Sequence, residues 1–295
     1  MVQGCMSRRQ ISRGSAASRI NVLAAVHAGV GSVTFFKVAL FCASIAVLII
    51  AGHAQAGDGV NQAAAKAALL KAYPGLFTIS GNTLTWNDGT MMIWDDGKQR
   101  TAAQLNESPD IEDMFYYVYP PASAGPLTPT LDFDPGRIRY KPFFEKLYGA
   151  NAQAVGQRIV GVKWLPKLGK TVIRVTSIFG IDQRLAKISD RLAEMPANLS
   201  RFGLKPGGGF SWRLIAGTDH LSMHAFGSAI DINVGYSDYW RWRSPGASGV
   251  LPYKNRIPMA IVALFEKYGF IWGGRWYHYD TMHFEYRPEL LLYRP

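Results

Sequence analysis

At 295 residues, with 48% hydrophobic and 18% charged residues, the chain suits one good-sized globular domain or two small ones. The formal charge is +11, but five basic residues (Arg8, Arg9, Arg13, Arg19, Lys37) and no acid precede Ala56, so residues 57–295 carry +6; this suits a polyanionic surface or simply a soluble basic one, and without a long Lys/Arg run or a nucleic-acid motif, nucleic acid is not an expected partner. The two cysteines, Cys5 and Cys42, both lie near the N-terminus, which excludes Cys₄ metal sites throughout and disulfides after residue 56.

Residues 38–51 are apolar or small, headed by Lys37 and followed by Ala54-Gln55-Ala56, a small-x-small signal. This predicts a secretory signal peptide cut after Ala56 and a mature chain in the periplasm or cell envelope. The run is shorter than the roughly 20 residues a spanning helix needs. Phe35 and Phe36 would lengthen it if the leader stayed uncleaved, and a membrane is a partner only in that case. A start at Val33 gives a leader of ordinary length. Ser7-Arg8-Arg9-Gln10-Ile11 faintly resembles a twin-arginine export signal but lies far from the main apolar run. Phe41 before Cys42 disfavours lipoprotein cleavage.

Residues 57–130 are expected to form an N-terminal accessory segment. Ala and Leu at helical spacing predict a helix over 60–72, ending before Pro74. Residues 76–97 alternate apolar and polar around Gly81-Asn82, Asn87-Asp88-Gly89 and Asp95-Asp96-Gly97, which predicts hairpins. Trp86 and Trp94 there fill a small core or form a ligand platform. Residues 108–117 read as a short helix capped by Ser108 or Asp110. Pro120-Pro121-Ala122-Ser123-Ala124-Gly125-Pro126 reads as a linker or surface loop near a domain boundary, and Tyr116 to Tyr119 as a patch packed on the domain that follows.

Residues 131–295 are expected to form that second domain. Short helices are predicted at 142–148 and 152–159, and strands at 160–165 and 171–175. Leu185, Ile188 and Leu192 at helical spacing, with charges opposite, predict an amphipathic helix over 181–195, ended by Pro196. Residues 210–215 read as a strand. Residues 257–268 repeat the amphipathic pattern, with Gly269 as the helix C-cap residue. Trp240 and Trp242 in Tyr-Ser-Asp-Tyr-Trp-Arg-Trp-Arg (236–243) pack a core or line a groove.

The chemistry is concentrated in two stretches. His224 and Asp231 stand seven residues apart, with Gly227 between them to let the chain turn. Ile230, Ile232 and Val234 then alternate with Asp231 and Asn233, the period of a strand with one buried face. Asp231 would point away from that face, where His224 can meet it. In the second stretch Met282, Phe284 and Tyr286 alternate with His283 and Glu285, again a half-buried strand. Two imidazoles and a carboxylate (His224, Asp231, His283) suit Zn²⁺ and leave a fourth position for water, the arrangement of a catalytic site. Asp280, three residues before His283, would stand beside that water.

The pattern Ser222-x-His224-x-x-Gly227-x-Ala229-x-Asp231, followed by Asp280-x-x-His283, resembles the zinc peptidases that cut peptidoglycan peptides. They comprise D-alanyl-D-alanine carboxypeptidases and dipeptidases and L-alanyl-D-glutamate endopeptidases. The resemblance covers about Arg174 to Leu291. It implies an α+β fold, with an antiparallel sheet carrying the zinc and helices on its outer face, as in the Hedgehog signalling domain. It prefers His283 over His278 as third ligand and leaves His278 as a groove or outer residue. Asp280 would be the base, and Arg213, the nearest upstream arginine, would hold the substrate carbonyl or the developing oxyanion. Arg213 otherwise reads as a solvated residue or a partner of Asp219. Ser222 would bond substrate or ligand, or simply serve the turn. Glu285 would orient a ligand or lie at the surface. Within the resemblance Asp-x-x-His is common among the L-alanyl-D-glutamate endopeptidases and Glu-x-x-His among D-alanyl-D-alanine cutters. The expected activity is therefore endopeptidase action on the stem peptide, with a D,D-carboxypeptidase as the alternative and a non-catalytic zinc-containing wall-binding module as a third.

Overall fold

The structure, a computed structural model, describes residues 59–246 and 249–295. The predicted leader, with both cysteines, lies outside these residues. Helix α1 (Gln62–Ala72) starts at Asn61, whose side chain accepts the Ala64 N–H. A three-stranded antiparallel meander follows: β1 (Phe77–Ser80), β2 (Thr83–Trp86) and β3 (Met91–Ile93). Trp86 and Trp94 are buried in the core.

The next stretch departs from expectation. The helix forms earlier, as α2 (Ala102–Glu107), where Thr101 and Gln104 make a reciprocal capping box. Ser108 ends that helix instead of starting one. Residues 112–115 make a short 3₁₀ helix, shorter than expected but entered through Asp110, whose side chain accepts the Asp113 N–H while Asp113 accepts the Asp110 N–H.

Then come α3 (Lys141–Tyr148), α4 (Ala152–Gly156), the antiparallel pair β4 (Ile159–Trp164) and β5 (Thr171–Thr176), α5 (Ile181–Glu194) and the short α6 (Ala197–Ser200). The predicted stripe on α5 is fully buried at Leu185, Ile188 and Leu192, each contributing about 1.5–3 kcal/mol by leaving water.

The last sheet carries the chemistry. Strands β6 (Pro206–Gly208) and β7 (Ala229–Asn233) pair first. Helix α7 (Met259–Lys267), β8 (Phe270–Trp272), β9 (His283–Tyr286) and α8 (Pro288–Leu292) follow. The sheet is antiparallel, in the order β6-β7-β9-β8, with Asp231 opposite His283. Helix α7 covers one face, where the Phe265 ring stacks on Phe284 at 3.9 Å between centroids. The architecture is α+β. Strand β9 is buried on both faces rather than one, Glu285 included.

Residues 210–215 do not form the expected strand. Their backbone bonds reach elsewhere: Phe210 N–H to Arg174 O, Ser211 N–H to His224 O, and a single bridge from Leu214 to Leu221. The segment is an extended arm laid beside the His224 turn.

Residues 59–125 share the same core. Tyr119 Oη donates to Glu266 and accepts the Trp272 N–H. Arg275 donates to the carbonyls of Pro121 and Gly125 at 2.8 Å. Tyr73 donates to Glu289 at 2.8 Å.

Candidate metal centre and active site

The His224 loop is built by local rules. Ser222 Oγ accepts the His224 N–H and caps the 3₁₀ turn Met223–Phe226. Gly227 closes that turn in the left-handed region (φ 67°). A Cβ there would lie 2.5 Å from Ile159 Cδ1 and 2.8 Å from the Thr176 nitrogen, so only glycine fits. The chain then enters β7, whose pairing with β9 sets Asp231 beside His283.

Three atoms converge. His224 Nε2, Asp231 Oδ1 and His283 Nδ1 lie 3.1 Å from one another, pair by pair. The outward nitrogens are both taken: His224 Nδ1–H donates to Gly209 O at 2.7 Å, and His283 Nε2–H to Glu285 Oε2 at 2.9 Å. Those bonds turn the inner nitrogen of each ring towards the Asp231 oxygen, where a bound cation would take the place of the proton between them. That arrangement suits a cation. Atoms 3.1 Å apart on one face of a tetrahedron would each stand about 1.9 Å from its centre, close to the roughly 2.0–2.1 Å of Zn–N bonds. The donor set therefore fits zinc.

The electrostatics agree. Burial opposes charge on His283, but its bonds to Asp231 and Glu285 outweigh this and lift it to about 9. Burial raises Asp231, yet His224 and His283 hold it well below the usual carboxylate range. Glu285 is likewise held low: burial raises it, while Arg139, His283 and Arg287 prevail. The site draws positive charge of any kind.

Asp280 borders the same cavity, of about 310 Å³. Its Oδ1 is buried without a hydrogen-bond partner. Burial, then repulsion from Asp231, pushes its carboxyl up to about 6. Arg213 and Ser222 line the cavity too. Arg213 is exposed and no described carboxylate lies within ion-pair distance, Asp219 included. His278 is not among the lining residues. It is gripped by Asp134 through its Nδ1 (2.6 Å) and its backbone N–H (3.0 Å), under the Trp240 ring. Glu285 is fully buried behind His283, not at the surface. Trp242 is exposed and lines the cavity.

The structure adds residues that carry no motif. Gly209 supplies the carbonyl that holds His224, and a Cβ on it would stand 2.2 Å from Arg174 O. Arg139 makes a two-pronged ion pair with Glu285, at 3.3 and 2.5 Å, and Arg287 bridges Glu285 and Glu289. Arg137 lines the cavity beside Arg139. No spacing rule singles out these arginines; the one local signal is the Asp134-Pro135-Gly136 turn before Arg137. Another acidic group, Asp96, Asp110 and Asp113, is a poor cation site because Arg100 lies 2.6, 3.5 and 2.9 Å from its three carboxylates.

Residues 216–286 match the family model described as D-alanyl-D-alanine carboxypeptidase. The resemblance to the zinc peptidases of peptidoglycan is shown by that match. It spans Ser222, His224, Asp231, Asp280, His283 and Glu285, and begins just after Arg213. It supports a peptidase hydrolase of the peptidoglycan-acting kind, a family that is zinc-dependent in general. No curated protein and no solved structure matches the chain. Among the described residues no helix is long and apolar enough to cross a membrane.

Proposed function

We propose that the protein is a zinc peptidase that hydrolyses peptide bonds in peptidoglycan stem peptides, with L-alanyl-D-glutamate endopeptidase action as the first reading. The observation that carries it is the triangle of His224, Asp231 and His283, with its outward nitrogens tied down and, in the same cavity, the half-buried Asp280, whose Oδ1 has no hydrogen-bond partner. Zinc held by these three residues supplies Lewis acidity and lowers the pKa of water towards about 7.

The chain's own residues do the rest. Asp280, in the same cavity as the three ligands, takes a proton from the attacking water and delivers it to the leaving amine. Arg213 brings an unpaired guanidinium to the negative charge that develops on the carbonyl oxygen. Glu285, clamped between Arg139 and Arg287, keeps the His283 proton on Nε2 and its lone pair on Nδ1. Ser222 shapes the His224 turn. Trp242 and Tyr239 wall the groove.

A second reading, a D-alanyl-D-alanine carboxypeptidase, draws support from the description of the matching family model. Asp280 in place of glutamate supports the endopeptidase. A wall-binding module without activity has no use for a carboxylate so placed. Export to the periplasm or envelope belongs to the same proposal and rests on the leader sequence. Zinc-loaded full chain incubated with purified muropeptides and read by mass spectrometry tests the set. Release of the stem peptide from L-alanine onwards supports the endopeptidase. Loss of terminal D-alanine makes it a carboxypeptidase. Intact muropeptides with bound zinc defeat both.

A further inference from the structure

The zinc cavity has a side arm. A smaller cavity of about 80 Å³ shares Arg137, Arg139 and Ile215 with it. Space of that size holds several waters, each needing at least about 10–15 Å³, and so a carboxyl group on a short stem but not a sugar ring. Its polar wall is Asn106, Arg137, Arg139, Lys141, Thr218 and His220, and no carboxylate lines it.

The cations of this wall are not equivalent. Arg139 is committed to Glu285. Lys141 has Glu145 at 3.5 Å, and His220 has Asp219 at 3.3 Å. Arg137 has no carboxylate within ion-pair distance among the described residues. Of the five N–H donors a guanidinium carries, one reaches an acceptor, His278 O at 3.1 Å. The guanidinium carbon lies over the Trp276 ring, 5.5 Å from its centroid. The backbone of Arg137 is fixed by the turn in which its N–H bonds Asp134 O at 3.0 Å. A guanidinium that is braced, unpaired and set at the mouth of a small cavity is preorganised for a planar anion.

We propose that the side arm is a subsite for a free carboxylate of the peptide substrate, and that Arg137 recognises it. The inference rests on the peptidase reading and deepens it: the preferred substrate carries an unmodified carboxylate close to the scissile bond. Two groups of a stem peptide supply that chemistry, the α-carboxylate of γ-linked D-glutamate and the carboxylate at the peptide's C-terminus. Asn106, from α2, places the N-terminal segment in the wall of this subsite.

The test uses zinc-loaded full chain and two pairs of stem peptides, one pair with D-glutamate free or α-amidated, the other with the C-terminus free or amidated. Cleavage gives kcat/KM; calorimetry with the Asp280→Asn protein gives binding without turnover. The free form is expected to be favoured by about 10- to 100-fold in one pair, the usual worth of hydrogen bonds to a charged group. In Arg137→Gln that ratio falls to about one. Arg137→Lys, which keeps the charge and loses the fork, retains part of it. The pair that shows the effect names the carboxylate. Peptides that bind with this preference but are not cleaved leave the subsite standing and defeat the peptidase reading. Cleavage without preference, or an Arg137→Gln loss equal for free and amidated forms, overturns the subsite and leaves the peptidase. Neither binding nor cleavage overturns both.

Discussion

Replacing Glu285 by glutamine separates the two duties of that side chain. Glu285 is fully buried and accepts from His283 Nε2, from Arg139 twice and from Arg287. Glutamine keeps the volume and removes the charge. Arg287 retains Glu289 and the Gly136 carbonyl, but Arg139 loses the one described carboxylate it pairs with. Breaking one side of a buried ion pair costs about 3–5 kcal/mol. The Arg139 side chain is 13% exposed, towards the cavity, which favours the lower end, about 3 kcal/mol. At about 2–4 °C per kcal/mol for chains of similar size, the metal-free protein should melt roughly 6–12 °C lower. Zinc affinity should fall by about 10- to 100-fold, because the His283 proton and ring orientation are no longer held. Competition with a chromogenic chelator measures the affinity and calorimetry the melting. A double variant, Glu285→Leu with Arg139→Met, replaces the pair by apolar groups and should regain most of the stability without regaining zinc. A folded Glu285→Gln protein that binds zinc within about threefold of wild type would refute the claim that this carboxylate orients the ligand.

Asp280→Asn should bind zinc normally yet lose about 10²- to 10⁴-fold in kcat, the usual contribution of a positioned proton carrier; a smaller loss in a muropeptide assay removes Asp280 from that role. Gly227→Ala should lower stability by about 2–4 kcal/mol, from left-handed strain and the clash with Ile159 and Thr176, and thermal melts read it directly. Stripping zinc with a chelator should lower the melting point by the linkage term, about 2.7 kcal/mol for zinc held at a hundred times its Kd. Burial, then repulsion from Asp113, Asp95 and Asp110, pushes Glu112 up from 4.5 to about 7. A raised folded pKa contributes stability below 4.5 that is lost as pH climbs through about 7. Glu112→Gln should therefore match wild type at pH 4 and exceed it at pH 8, by about 1 kcal/mol or less after solvent screening; urea melts at the two pH values check the sign.

Much of this was legible because the signals are local. The apolar stripe of α5 and the turn glycines of the meander follow from neighbouring residues, whereas the half-buried alternation expected of β7 and β9 does not hold: β9 is buried throughout and Val234 is exposed. The two half-motifs, 59 residues apart between His224 and His283, point at one site because only paired strands can bring such halves together. The failures also have local causes. The predicted strand at 210–215 has alternating residues, but its backbone bonds go to Arg174 and His224. The helix expected over 108–117 is reduced to a 3₁₀ turn at 112–115 behind Asp110, while a separate helix forms earlier behind the Thr101–Gln104 capping box.

Which residues could hold a metal, and which carboxylate could stand beside it, was written in the order of side chains along the chain, since ligand chemistry belongs to residue type and the strand period sets the face. The arginines belong to the packing. Arg137 and Arg139 lie 146 and 144 residues before His283, and their meaning depends on what they touch: Arg139 is neutralised by the buried Glu285, and Arg137 is left without a carboxylate beside a cavity, whereas Arg287 is the local exception, since the Glu285 and Glu289 it bridges stand two residues to either side of it. Charge on a guanidinium is the same in any sequence, whereas its partner is chosen by long-range packing.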